Sequence, residues 1–292
     1  VRLGVCSSTA RACVRVSREH TTGASLNSSP SPTKVYVMKA LGLSLAFLFL
    51  CGCAALTPLR GSPLTDQQAT TVLERILEQD RRVSTFYNVG QLSVGKWYGE
   101  TDTDILIVGS RDPFRVKIEI THSWGQPILH VLVRQRRLEV LSFGERRVYA
   151  GAFTPEALSR FFPCEFTPDL AWAVLRGFPT LILHHGFRSR SPDQVSLLDA
   201  GKREVEVIEI EPETLLPSRV RFPDQGIQVA FSEFQESDGI AYAAEVKVHQ
   251  VGEGRKVTLR SKKMVFNRNL PDQIFVLERP PGFEVHDLDS AS

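Results

Sequence analysis

Residues 113–121, with the sequence PFRVKIEIT, decide the fold class of this chain of 292 residues. Its apolar residues, separated from one another by charged ones, are Phe114, Val116, Ile118 and Ile120. A period of two is that of a β-strand that buries one face, whereas a helix repeats its apolar residues at intervals of three and four. The stretch therefore predicts a half-buried β-strand.

Strand-like stretches continue on both sides of this segment, and short turns separate them. Strands that follow one another in this way predict an antiparallel meander rather than βαβ units. The other predicted strands are 87–97, 103–110, 128–134, 137–143, 146–150, 194–199, 203–211, 217–222, 226–234, 241–251 and 256–266.

The strand predicted at 203–211 has an irregular pattern. Its apolar phase slips between Val207 and Ile208, which predicts a β-bulge at that point. The strand also carries several acidic residues that alternate with apolar ones, and we predict them on its solvent side. These acidic residues are Glu204, Glu206, Glu209 and Glu211.

Three helices are predicted from spacing and capping. Residues 64–83 repeat their apolar positions at helical intervals, and Thr65 or Asp66 can cap the start. Two short helices begin at Thr154-Pro155 and Thr167-Pro168, where threonine caps the helix and proline occupies its first position. This second pair is rich in apolar and aromatic residues, so it either connects strands across the end of a sheet or forms a lid over a cavity.

Residues 38–56, with the sequence MKALGLSLAFLFLCGCAAL, form the most apolar run of the chain. The strongly apolar part is shorter than the roughly 20 residues of a transmembrane helix. A basic start, an apolar middle and a small-residue end are typical of a secretory signal, which we place at 38–52. Residues 1–37 have no apolar periodicity and are interpreted as an upstream start assigned too early or as a disordered extension.

Composition and motifs argue against several classes of function. The net charge of +2 is close to neutral, which disfavours a nucleic-acid role that rests on a basic face. The sequence contains no P-loop, no nucleophile elbow, no HExxH and no paired CxxC. We interpret Cys164 as a small buried apolar residue rather than a nucleophile. We therefore predict a protein that is not an enzyme and holds no cofactor and no metal ion.

Residues Leu50-Cys51-Gly52-Cys53 resemble the lipobox of bacterial lipoproteins. The resemblance implies cleavage after Gly52 and a diacylglycerol on the thiol of Cys53, followed by a tether over 53–63. Ala54 stands where enteric inner-membrane lipoproteins have aspartate, which points to the outer membrane and to a domain that faces the periplasm.

The layout of residues 64–292 resembles that of the LolA/LolB family. The shared features are the first helix, the serial strands, the helical interruption and a closing segment from Phe266-Asn267 to Pro281-Gly282-Phe283. The resemblance implies an α+β, mainly β fold: a strongly curved antiparallel half-barrel sheet with an N-terminal helix and a short helical lid. The lipid anchor favours similarity to the receptor LolB over the soluble carrier LolA.

The resemblance also implies a function and its residues. In this family the apolar interior holds the acyl chains of lipoproteins in transit, so the expected partners are such chains or phospholipid, a periplasmic carrier protein and the membrane. Nucleic acid is not expected, and the protein is expected to be a monomer. Trp124 resembles the exposed loop residue with which LolB-type receptors engage the membrane, and capping of the barrel edge is the alternative. The candidate acyl-chain-binding residues are Phe114, Val116, Ile118, Phe161, Phe162, Trp172, Leu175, Val229 and Phe231.

A second function also fits the same layout. A lipid-anchored accessory or scaffold protein of an envelope assembly would use the surface of the sheet to bind other proteins and would carry no lipid.

Overall fold

The computed structural model describes residues 61–96, 99–162, 164, 166–251 and 254–289. The predicted signal, Cys53 and residues 53–60 of the tether lie outside the described residues. Helix α1 spans Asp66–Arg81, α2 Pro155–Ser159 and α3 Pro168–Arg176. Single 3-10 turns cover Pro223–Gln225 and Asp272–Phe275. The strands are β1 Thr85–Lys96, β2 Gly99–Ser110, β3 Arg115–Thr121, β4 Pro127–Arg134, β5 Arg137–Ser142, β6 Arg147–Ala152, β7 Gly186–Ser191, β8 Gln194–Leu198, β9 Glu204–Ile210, β10 Pro217–Phe222, β11 Ile227–Ser237, β12 Ile240–Gln250, β13 Arg255–Phe266 and β14 Glu284–Asp287.

These strands form one open sheet of 14 strands. Their order is β14-β6-β5-β4-β3-β2-β1-β13-β12-β11-β10-β9-β8-β7, so most neighbours in space are also neighbours in the chain. The pairing of β1 with β13 joins the two halves, and β14 and β7 are the two edges, which do not pair with each other. The predicted α+β, mainly β half-barrel with a curved antiparallel sheet is therefore confirmed.

The central pairing of β1 with β13 depends on a glycine. The register shifts between Val89 and Gly90, where the two backbones come close together. A Cβ atom on Gly90 would lie 2.1 Å from the carbonyl oxygen of Arg260, which is far inside van der Waals contact. Only a residue without a side chain fits at this position.

Both edge strands were missed in the sequence. In β7 the only large apolar residue is Phe187, and β14 is only 4 residues long, so neither presents an alternating pattern. An edge strand pairs on one side and needs less burial than a central one, which weakens its pattern in the sequence. Strand β14 also pairs parallel with β6, so one edge pair departs from the predicted antiparallel arrangement.

The predicted β-bulge between Val207 and Ile208 is wrong. Both residues pair in regular register with β8 and with β10. Both are also buried, because Ile208 lies on the concave face and Val207 on the opposite face of the same strand. Two consecutive apolar residues occur here because both faces of the strand are buried, and not because the strand contains a bulge.

Helix α1 confirms the predicted first helix, with shorter bounds than the predicted 64–83. Thr65 accepts a hydrogen bond from the backbone N–H of Gln68, and the Gln68 side chain accepts one from the N–H of Thr65 in return. This capping box supplies partners for two otherwise unpaired donors. The buried face of α1 consists of Ala69, Val72, Leu73, Ile76 and Asp80.

The two short helices form an insertion between β6 and β7. Thr154 caps α2 and Thr167 caps α3, as the sequence predicts, through bonds from the backbone N–H groups of Ala157 and Leu170. Gly177 ends α3 with φ 77°, and a Cβ there would lie 2.7 Å from the carbonyl oxygen of Ala243. The left-handed turn and the close approach to β12 both require glycine. They place the end of α3 directly against β12, where the backbone N–H of Ala243 donates a hydrogen bond to the carbonyl oxygen of Gly177.

Candidate functional site

An apolar cavity of about 50 Å³ lies between the concave face of the sheet and the insertion that carries α2 and α3. Strands β1 to β4 and β13 form its floor, and the insertion forms its roof. Every lining residue is Leu, Ile, Val, Phe or Ala. A cavity with such a lining stays dry and accepts apolar ligands.

The volume of this cavity limits what it holds with the insertion in place. A cavity needs about 10–15 Å³ for each water molecule, so the present space equals only a few waters. A long acyl chain therefore requires the insertion to move away from the sheet. Most of the roof is packed rather than exposed, since Leu170, Trp172, Ala173 and Val174 of α3 are all buried.

One open end of the half-barrel, where strands begin or end, exposes apolar side chains. Because neighbouring strands are antiparallel, the last residues of β1, β3 and β12 and the first residues of β7 all lie at this end. The exposed apolar residues at this end are Val94, Trp124, Leu183 and Val251, and we call this set the apolar rim. Trp124 is 72% exposed and Leu183 is 91% exposed. Large exposed apolar side chains such as these are candidates for contact with a partner or a membrane.

Trp124 occupies the tip of the hairpin between β3 and β4. Its ring stacks on that of His122 with a centroid distance of 4.2 Å, and Gly125 makes the turn with φ 88°. The indole N–H lies 3.4 Å from the Gln126 side-chain oxygen. The ring therefore contacts its own hairpin and the solvent rather than the core.

Comparisons with known proteins bear on this architecture. No protein-family model and no curated protein matches the sequence. A solved structure of a DUF1329 family protein from Desulfovibrio piger is similar, with a TM-score of 0.51 and 14% identity over 72% of this chain and 96% of that chain. At this identity the similarity is one of fold.

Two further solved structures are similar at lower scores. A LolA superfamily protein from Nitrosomonas europaea has a TM-score of 0.44 and 15% identity over 72% of this chain and 97% of that chain. A putative outer membrane lipoprotein-sorting protein domain from Vibrio parahaemolyticus has a TM-score of 0.43 and 13% identity over 71% of this chain and 97% of that chain.

The open half-barrel, the N-terminal helix and the helical insertion are the features that the sequence resemblance implied. The fold described above is similar to that of the DUF1329 family protein from Desulfovibrio piger. In this half-barrel the concave face of the sheet is largely apolar, and the insertion covers part of that face. The cavity beneath the insertion is thus the candidate binding site.

The structure divides the candidate acyl-chain-binding residues among three places. Phe114, Val116, Ile118, Phe162 and Leu175 line the cavity described above. Val229 and Phe231 line a smaller cavity of about 20 Å³ beneath the other side of α3. The two remaining residues, Phe161 and Trp172, line neither cavity.

Both remaining aromatic residues pack against other rings. The Trp172 ring lies edge-on to Phe86 with 5.0 Å between centroids, and it is tilted against Phe114 at 6.2 Å. The Phe161 ring contacts Tyr149 at 5.1 Å. Trp172 therefore supports the end of the cavity from behind Phe114.

Sequence reasoning missed other residues of the cavity. Some belong to strands next to β3, such as Ile105 of β2 and Val131 of β4, and Leu158 and Val174 belong to the insertion. Alternation alone places Ile105 and Val131 on one face of their strands. It does not show that this face is the one opposite the insertion, which depends on the register with β3.

Glu206 is the one predicted solvent-facing glutamate that the structure places in the interior. It lies on the concave face of β9 and is fully buried, so that prediction is wrong. Its register places it opposite Leu197, and its Oε2 accepts a hydrogen bond from the backbone N–H of Ile182 at 3.0 Å. Burial raises the pKa of Glu206 to about 7, against the smaller opposing effect of that hydrogen bond.

The described residues offer little else for catalysis. Within them, no group of three or more His, Cys, Asp or Glu side chains is arranged to hold a metal ion. Cys164 is 1% exposed and lies in the main core cluster, as predicted. In the same ranges of the chain, none of the helices has the length and apolar character needed to cross a membrane.

Proposed function

We propose that this protein is a lipid-anchored chaperone or receptor that faces the periplasm, binds acyl chains of lipoproteins or lipids, and assists their insertion in the outer membrane. The observation that carries the proposal is the hydrocarbon-lined cavity between the concave sheet and the helical insertion. The LolA/LolB resemblance of the sequence supports the same function, and the lipobox at Cys53 supports the anchor and the compartment.

The energetics of an acyl chain suit such a site. Burial of each methylene group gains about 0.8 kcal/mol, so ten of them gain roughly 8 kcal/mol. This gain offsets the apolar contacts that the insertion loses when it moves away from the sheet. Release at a membrane needs the insertion to move away again and an equally apolar environment for the chain, which the bilayer provides.

The direct test is to look for bound lipid. We expect the purified protein to carry acyl lipid that mass spectrometry of the denatured sample detects, and to release a fluorescent fatty acid when unlabelled fatty acid is added. A protein without bound lipid that also fails to bind the fluorescent fatty acid would contradict the proposal. That outcome would favour the second function, an accessory protein of an envelope assembly.

Filling the cavity should block binding. Ala171 of α3 lines the cavity, and Ala171→Phe places a ring in the space that the chain would use. We expect the dissociation constant for the fluorescent fatty acid to rise at least about tenfold, which corresponds to about 1.4 kcal/mol. The matched control is Ala230→Phe, the same substitution on the convex face of β11, where Ala230 borders a groove with Lys247 and His249. Equal affinities of the two variants would argue against this cavity as the binding site.

The apolar rim should deliver the chain to the membrane. We expect Trp124→Glu to slow the transfer of fluorescent fatty acid from the protein to liposomes by at least about tenfold, because a carboxylate at the hairpin tip opposes insertion into the interface. The free energy of unfolding should change by less than about 0.5 kcal/mol, since Trp124 is 72% exposed. Trp124→Phe keeps an aromatic ring and should preserve transfer. Unchanged transfer in Trp124→Glu would remove Trp124 from this step.

A further inference from the structure

A cluster of three charged side chains lies between α1, α3 and the end of β2; Asp80 and Arg176 are buried, and Arg111 is partly exposed. Arg176 of α3 is fully buried, and its nearest described carboxylate is that of Asp80 on α1, with 3.5 Å between Nε and Oδ1. The same Oδ1 accepts a hydrogen bond from Arg111 Nη1 at 2.9 Å. One carboxylate therefore serves two guanidinium groups, and the three side chains together carry one excess positive charge.

Several donors of this cluster have no hydrogen-bond partner among the described residues. These are Nε, Nη1 and Nη2 of Arg176 and the indole Nε1 of Trp172, one helical turn earlier on the same face of α3. The Asp80 oxygen near Arg176 lies within ion-pair distance but outside hydrogen-bond geometry. Buried charged donors without partners are strongly unfavourable, so their retention calls for a reason.

The charge of Arg176 persists at neutral pH. Burial lowers the pKa of its guanidinium to about 10, while Asp80 raises it and Arg111 lowers it further. A group with this pKa remains protonated at neutral pH. The guanidinium lies over the Phe178 ring at 5.0 Å, but its N–H donors have no hydrogen-bond partner among the described residues.

These donors lie behind two residues that line the apolar cavity, Phe114 and Leu175. Leu175 lines the cavity and directly precedes Arg176, and its carbonyl oxygen accepts a hydrogen bond from Asn88 Nδ2 at 3.1 Å. The Trp172 ring touches Phe114, which also lines the cavity. Phe114 and Leu175 separate the cavity from Arg176 and Trp172, so a ligand that displaces the insertion can bring its head group to these donors.

We propose that Arg176 and the Trp172 indole N–H bind the acidic head group of an acyl ligand whose chain lies in the apolar cavity. The inference rests on the proposed function, because it assumes an acyl chain in that cavity. A guanidinium group matches the paired oxygens of a carboxylate or a phosphate with two parallel hydrogen bonds. The ligand class is thus a chain with an anionic head, such as a fatty acid or an acidic phospholipid, rather than a chain with a neutral head.

The test compares ligands that differ only in the head group. Hexadecanoate, hexadecyl phosphate and hexadecanol each compete with a fluorescent acyl probe for the full chain. We expect the protein to bind one or both acids at least about tenfold more tightly than the alcohol, since hydrogen bonds between charged groups are the strong ones. The tighter of the two acids identifies the head group as carboxylate or phosphate.

Two variants test whether Arg176 causes the tighter binding of the acids. In Arg176→Met, which has an uncharged side chain, we expect the affinities for the acids to fall to that for hexadecanol. In Asp80→Asn the competing carboxylate is gone, so the preference for the acids should rise above that of the unmodified protein. The matched control is Arg188→Met, which removes an arginine that pairs with Glu204 on the surface, and it should leave the preference unchanged.

The outcomes separate the two proposals. Equal affinity of the unmodified protein for all three ligands, or an unchanged preference in Arg176→Met, would overturn the head-group site while the apolar cavity retained its role. Failure of every ligand to bind, hexadecanol included, would overturn the proposed function and this inference with it. If Arg176→Met does not fold, the unmodified protein and Asp80→Asn still test the head-group site. Equal affinity for acids and alcohol in the unmodified protein, or no increase of the preference in Asp80→Asn, would overturn it.

Discussion

Replacing Trp172 with alanine is expected to lower the free energy of unfolding by about 3–5 kcal/mol, the range for buried aromatic residues. Trp172 is 1% exposed and contacts Phe86, Phe114 and the guanidinium of Arg111, whose Cζ lies 5.3 Å from the ring centroid. Removing the ring leaves a large void where α3 meets β1 and β3. Urea unfolding followed by far-UV circular dichroism measures the loss.

The matched control for this prediction is the same substitution at an exposed site. Trp124→Ala removes an identical side chain from the hairpin tip, where the residue is 72% exposed, so it should change the free energy of unfolding by less than about 0.5 kcal/mol. A loss in Trp172→Ala no larger than that in Trp124→Ala would contradict the central position of Trp172 in the core.

Stability is expected to fall by roughly 3 kcal/mol as the pH rises from about 4.5 to about 7, because of Glu206. Burial raises the pKa of this carboxyl from 4.5 to about 7 in the folded protein. Between these two values the folded state holds a proton that the unfolded state has lost, so the unfolded state binds fewer protons. The stabilisation from protonated Glu206 is therefore fully present below pH 4.5, the pKa of Glu206 in the unfolded chain. It is lost as the pH rises through about 7, the pKa of Glu206 in the folded protein. Urea unfolding at a series of pH values across this window measures it.

Two substitutions isolate the contribution of Glu206 from that of other titrating groups. Glu206→Gln keeps an oxygen that can accept from the Ile182 N–H and cannot ionise, so this variant should lose the decline with rising pH. Glu204→Gln, two residues earlier on β9, removes a more accessible carboxyl that accepts a hydrogen bond from Arg188 at 2.8 Å, and the decline should remain. The same decline in Glu206→Gln as in the unmodified protein would show that another group causes it.

Much of the secondary structure was predictable because its causes are local. The Thr-Pro pairs at Thr154 and Thr167 predict both short helices, since capping and the fixed φ of proline act within one turn. Alternation predicts strand β10 at its observed bounds, Pro217–Phe222. The edge strands were missed because their pairing, rather than their sequence, makes them strands.

The candidate site was only partly predictable. Alternation places Phe114, Val116 and Ile118 on one face of their strand, and that face lines the cavity. The same reasoning at Val229 and Phe231 is correct about their burial, yet these residues lie under the other side of α3. Their distance from β3 along the sheet depends on the order of the strands, which follows from pairings between residues far apart in the chain.

Glu206 illustrates the same limit at a single residue. The period of two shows that Glu206, Ile208 and Ile210 share a face, but it does not say which face is inside. Burial of Ile208 between Val195 and Val220 on the neighbouring strands determines the inner face. The two isoleucines thus bring the carboxyl of Glu206 into the interior with them.

The amino-acid sequence by itself determined that the protein is mainly β, where its helices begin and that the chain folds as serial antiparallel strands. These features depend on side-chain period, caps and turns, which act between residues close in sequence. Only the tertiary structure decided that β1 joins β13, that Trp172 packs behind the cavity rather than in it, and that Arg176 and Glu206 are buried. Each of these features depends on contacts between segments that are far apart in the chain. Such contacts stabilise the protein only once the sheet, α1 and the insertion have packed around one core.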